Sequence, residues 1–181
     1  MKPVIAYKSK YGKATFGKVV FNSTLATNEN NDCMVRSLST ATDTPYDETH
    51  EWCRVNLDRL DGRGTSTYKI LDMNGTTVFG KKIERMGSVV IDKWNTPSGQ
   101  YTMFLGEKML GKWGYKSDGW GGTRKKFRRM SVGTFLKTYT EGTFMVAVSG
   151  HIFTVKDGVV LGNLSDADKL KRPIEFAYEV K

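Results

Sequence analysis

The chain predicts an α+β fold, with helices early and an antiparallel sheet late, on three observations. Apolar residues recur at helical spacing behind Cys33. Two adjacent runs, Thr143 to Val148 and Ile152 to Val155, are rich in β-branched and aromatic residues and lead into the turn dipeptide Asp157-Gly158. Ile174 to Val180 alternates as a half-buried strand does. A length of 181 residues suits one domain with its own core.

Taken in order, residues 1–24 alternate weakly around Val4 to Tyr7 and Phe16 to Phe21, with Gly12 between. They read as two short strands, or as a basic N-terminal arm that pairs with the main sheet. Residues 25–32 are a polar loop. Asn31 or Asp32 then caps a helix from Cys33 to about Thr42, on which Met34, Leu38 and Ala41 form one buried stripe. Asp43-Thr44-Pro45 breaks it. Thr44 caps a second helix, with Pro45 at its first position and Asp47 and Glu48 in its first turn. That helix runs to about Leu57 and turns Trp52, Cys53 and Val55 inward.

Residues 65–129 read as an insertion. Thr67 to Leu71 is expected as a strand, paired through an Asn74-Gly75 turn with Thr76 to Phe79. Ser88 to Ile91 is a short strand, and Tyr101 to Lys112 a helix interrupted by Gly106. The glycine- and aromatic-rich stretch from Gly111 to Gly122 is a surface loop. Beyond it, Ser131 caps a helix through Tyr139, with Val132, Phe135 and Leu136 inward, and the closing strands follow.

Composition narrows the function classes. Two cysteines are too few for a disulfide framework. The N-terminus lacks the apolar core of a signal peptide, and no window approaches the roughly 18 apolar residues of a membrane span. An intracellular chain without a membrane partner is expected. Net charge is +9 and unevenly placed. Lys2, Lys8, Lys10, Lys13 and Lys18 face no acid nearby, and Arg124, Lys125, Lys126, Arg128 and Arg129 form a second cluster. These patches suit nucleic acid or an acidic protein surface. Two His and two Cys are too scattered for a zinc site, so neither metal nor cofactor is expected.

The sharpest chemistry is that of a thiol. Cys33 opens a predicted helix, where the helix dipole and unpaired N–H groups lower a thiol's pKa. Its own N–H can also meet a developing oxyanion. Among the upstream residues Asn28, Asn30 and Asn31, Asn28 is the preferred second donor, since Asn31 is placed to cap. His151 is the credible base, and Gly150 before it leaves room for a substrate backbone. If Lys156-Asp157-Gly158 is a three-residue loop, Asn163 faces His151 and can hold its second nitrogen. A two-residue loop sets Leu164 there instead, leaving Asp166 and Asp168 as the orienters. Cysteine and histidine at such places also serve as apolar filler and half-buried polar residue. A basic binding module without catalysis and an acyl transferase of transglutaminase type are the competing readings.

Asn31-Asp32-Cys33-Met34-Val35-Arg36-Ser37-Leu38-Ser39, then Thr44-Pro45-Tyr46-Asp47-Glu48-Thr49-His50, resembles the small papain-like cysteine peptidase-fold proteins of tailed bacteriophages and some bacteria. Their pattern ends in G-x-x-x-V-x-G-H-x-x-x-V-x-D-G-V-V; the corresponding element here runs from Gly142 to Val160 and is in register with it from Val148 onward. The resemblance covers residues 28–64 and 130–163. It implies a papain-like fold, a nucleophile helix packed on an antiparallel sheet, and a protein or peptide substrate met in an infected bacterial cytoplasm or a virion. It carries the nucleophile to Cys33, the base to His151 and the orienter to Asn163. His50 matches the second-helix pattern and is expected to be packed or solvated.

Overall fold

A computed structural model describes residues 23–60, 63–86 and 130–181, together with the backbone of the short strands in the remainder. In chain order the elements are β1 (Ile5–Ala6), β2 (Ala14–Thr15), α1 (Thr24–Asn28), α2 (Cys33–Thr42), α3 (Tyr46–Asn56), α4 (Thr67–Leu71), β3 (Thr77–Val78), β4 (Lys81–Arg85), β5 (Ser88–Asp92), β6 (Tyr101–Leu105), β7 (Tyr115–Ser117), β8 (Thr123–Lys125), α5 (Val132–Thr138), β9 (Thr143–Val148), β10 (His151–Lys156), β11 (Val159–Leu161), α6 (Leu164–Asp168) and β12 (Ile174–Val180). The fold is mixed α+β. Its main sheet has six antiparallel strands in the order β11-β10-β9-β12-β4-β3, and α2 packs on β10 and β9 and against α3.

The α2 helix spans Cys33–Thr42, as its apolar spacing predicts. It is more deeply enclosed than a one-sided stripe requires. Met34, Val35, Leu38 and Ala41 are buried, and so are Ser37, Ser39, Thr40 and Thr42. Each large apolar side chain so placed contributes about 1.5–3 kcal/mol. Of the buried hydroxyls, Ser39 and Thr42 donate to the Thr44 and Leu38 carbonyls, Thr40 is left without a partner, and Ser37 bonds across the layers. Thr154 Oγ1 on β10 donates to the Ser37 carbonyl at 2.8 Å and lies 3.1 Å from the Ser37 hydroxyl. That contact pins the helix that begins with Cys33 to the strand that begins with His151.

On α3 the inward face is Tyr46, Thr49, His50 and Cys53, a regular helical stripe. Val55 falls off it and is 61% exposed, contrary to expectation, while Trp52 is half-buried. Pro45, not Thr44, takes the N-cap position. Arg59, just beyond this helix, is the largest fully buried side chain among the described residues. It ion-pairs with Glu29 and donates to His50 Nε2 at 2.7 Å, tying the segment before α2 to α3. His50 is therefore packed.

Several elements differ from the sequence reading. The loop before Cys33 contains the short helix α1, capped by Ser23, whose hydroxyl accepts from the Ala26 N–H at 3.0 Å. Thr67–Leu71 is helical, because its carbonyls are claimed from β12: the Tyr178 hydroxyl donates to Ile70 O at 2.8 Å. The β3 strand pairs forward with β4 across Phe79 and Gly80, both at positive φ, and not back across Asn74-Gly75. Tyr101–Leu105 is a strand paired with β5, where a helix was expected; an aromatic, β-branched run of that length suits either state, and pairing decides it. Residues 106–112 of that expected helix lie outside the described residues. In the N-terminal segment β1 and β2 pair with each other.

One departure bears on the site. Asp157 and Gly158 both have positive φ and form a two-residue turn, so Lys156 pairs with Val159. The three-residue loop is not formed. Carried outward, the register sets Leu164 across from His151, and pairing has already ended at Leu161. Asn163 instead starts α6.

Candidate active site

Cys33 and His151 come together from the ends of two elements. Cys33 is the first residue of α2, half-buried, and His151 is the first residue of β10. Gly150, at φ +69°, makes the turn out of β9, and a side chain there would meet nothing nearby, so the approach to His151 is open. A cleft of about 240 Å³ is lined by Asn31, Asp32, Cys33, Arg36, Gly150, His151, Ile152 and Asn163.

Behind His151 stands Asp166, not Asn163. The His151 Nε2–H donates to Asp166 Oδ2 at 2.8 Å. This leaves Nδ1 for the thiol. Asp166 is 1% exposed, and its carboxylate is held from three sides. The Asn163 backbone N–H donates to Oδ2 at 2.7 Å, and Arg172 reaches Oδ1 at 3.4 Å while also donating to the Ser149 carbonyl at 3.2 Å. Asn163 lines the cleft and positions the carboxylate through its backbone. The two-residue hairpin turn explains the difference from the expected pairing. It retracts Asn163 from the cross-strand position and lets the first turn of α6 present Asp166.

The electrostatics follow from these contacts. Burial pushes the Cys33 thiol up, and the Asp32 charge adds to that. Hydrogen bonds from His151 and from the Ile152 backbone N–H, with the imidazole's charge, outweigh both and leave the thiol below its ordinary value. Burial pushes His151 down, but its hydrogen bonds to Asp166 and Cys33 and their negative charges raise it to about 9. The two shifts agree in direction: the imidazole favours the charged thiol, and the thiol favours the charged imidazole. Cys53 is the contrast, fully buried, with its thiol pushed up to about 12.

Asp32 occupies the N-cap position of α2 but makes no capping bond. Its Oδ2 accepts from the Tyr46 hydroxyl at 2.7 Å and from Arg36 Nε at 2.7 Å. The first turn of α2, which begins at Cys33 beside the cleft, thus has no capping bond from Asp32. Asn31, exposed and at φ +55°, also lines the cleft. Asn28 ends α1, and its side chain lies outside the described part of the structure. Arg124 and Lys125 fall in β8, described in its backbone only, while Lys126, Arg128 and Arg129 lie outside the described residues. Among the described residues no group of three His, Cys, Asp or Glu is arranged to hold a metal ion, and no helix is long and apolar enough to cross a membrane.

Sequence reasoning named Asp166 only as a fallback and missed Tyr46, Gly162 and Arg172. Gly162 carried a readable signal, a glycine just after a strand. A Cβ there would sit 2.6 Å from Asp166 Oδ2 and 2.9 Å from the Phe153 Cβ. Gly162→Ala is expected to push Asp166 off His151. The alkaline limb of any Cys33-dependent rate should then move below pH 9, with the acid limb less affected. A pH profile that matches wild type would refute this.

Compared with known proteins, the chain matches no family model, no curated protein and no solved structure.

Proposed function

We propose that this chain is a phage-type, papain-like cysteine hydrolase that cleaves a peptide or isopeptide bond. The observation that carries the reading is the Cys33–His151–Asp166 chain of hydrogen bonds at the mouth of an open cleft. The Cys33 thiolate attacks the carbonyl carbon, and the carbonyl oxygen takes the charge opposite the Cys33 N–H. The imidazolium proton passes from His151 Nδ1 to the leaving amine as the carbon–nitrogen bond breaks. Water then attacks the thioester, giving its proton back to His151, and the carboxylate product leaves with Cys33 free. Asp166 keeps the ring's tautomer and orientation through both halves.

The test is a covalent trap. A peptidyl vinyl sulfone of mixed sequence should add to Cys33 alone, read by mass on the Cys33 peptide. Cys33→Ala should show no adduct. An adduct forming equally in His151→Ala would remove the support for the reading.

A further inference from the structure

An aspartate at an N-cap ordinarily turns its carboxylate onto the second or third N–H of the helix. Asp32 does not. Its Oδ2 is drawn sideways by two donors, the Tyr46 hydroxyl and Arg36 Nε, each at 2.7 Å. Arg36 is also committed to the Ala26 carbonyl at 2.8 Å. Tyr46 is 2% exposed, and its hydroxyl makes the bond to Asp32 in that buried setting. Burial, and then the bond to Asp32, push the phenol upward, so it remains a donor at any working pH.

We propose that Tyr46 is a positioning residue for the Cys33 site: its hydroxyl holds the Asp32 carboxylate off the N-terminus of α2, so that the first turn stays uncapped and electropositive toward an oxyanion and the thiolate is spared a closer anion. The inference rests on the thiol-hydrolase reading above. Without the hydroxyl, Asp32 loses a donor in a buried place, and the nearest replacements are the uncapped N–H groups of its own helix. An anion that moves there competes with the substrate oxyanion and disfavours the thiolate. Charged groups face this point from every side. Arg36 comes from α2 and His151 from β10, with Asp166 and Arg172 behind it. Glu29, His50 and Arg59 surround Tyr46 and its helix.

The experiment is iodoacetamide alkylation against pH, read on the Cys33 peptide by mass spectrometry in the full chain. Tyr46→Phe should raise the midpoint by about one pH unit, roughly a tenfold loss of reaction on the acid limb. In an Asp32→Ala background the same change should have no further effect, because Tyr46 acts through that carboxylate. A Tyr46→Phe protein that titrates as wild type, or a shift that survives undiminished in Asp32→Ala, overturns the proposal. If near-UV circular dichroism shows Tyr46→Phe unfolded, Asp32→Ala is read alone. Its midpoint must then fall below wild type, and an unchanged or higher one overturns the proposal. A wild-type Cys33 that titrates as an ordinary thiol overturns the hydrolase reading itself, which separates the two failures.

Discussion

Cys33 is expected to alkylate with iodoacetamide at pH 6, where an ordinary thiol of pKa about 8.5 is almost entirely protonated. His151→Ala should remove this, lowering the rate at that pH on the order of tens- to a hundredfold and moving the midpoint back up. The sign follows from the contacts. The His151 imidazolium is a cation beside the thiol and its hydrogen-bond donor, and both effects favour the charged sulfur. Without His151, burial and the Asp32 charge remain, and both push the thiol up. The Ile152 N–H alone opposes them. Cys53 supplies an internal control: it is fully buried, with its thiol near 12, and should stay unmodified throughout. If Cys33 reacted slowly at pH 6 and His151→Ala changed nothing, the residue would be structural.

The second large effect belongs to Asp166→Asn. The size of the side chain is kept, but the charge opposite His151 Nε2 is lost. The amide can also offer an N–H where the ring needs an acceptor, which favours the wrong tautomer. Turnover of a cleaved peptide should fall on the order of 10²-fold or more, the ordinary worth of a positioned acid–base group. The pH profile carries the sign. In the wild type the protonated imidazole persists up to about pH 9 because Asp166 and Cys33 raise it. On the proposed mechanism, its loss above that value sets the alkaline limb of kcat/KM. With Asp166 neutralised, that limb moves to lower pH, and the thiol's acid limb moves only as far as the weaker imidazolium allows. A variant whose turnover and alkaline limb both matched wild type would show that the carboxylate does not orient the base.

Much of the fold was legible because it is written in short-range patterns. The stripe Met34, Leu38 and Ala41 marks α2, and Ser131 with Val132, Phe135 and Leu136 marks α5. The β-branched runs around Asp157-Gly158 mark the hairpin that carries His151. The short runs were not legible. Thr67–Leu71 and Tyr101–Leu105 are too brief for period to separate helix from strand. The Tyr178 hydroxyl and the β5 pairing decided them.

The site divides along the same line. The placement of Cys33 at a helix start and of His151 on a hairpin strand depends on local capping, periodicity and turn residues, all of which lie within a few positions along the chain. The identity of the third group depended on one residue of hairpin register. Asp157 and Gly158 each at positive φ make the turn two residues long, which retracts Asn163 and brings in Asp166. The direction of the Asp32 carboxylate was settled in the same way, by a phenol from α3 and a guanidinium one turn along α2. Packing settled these, because a buried polar group takes whichever donor the fold sets within reach, and pattern along the chain does not say which donor that is.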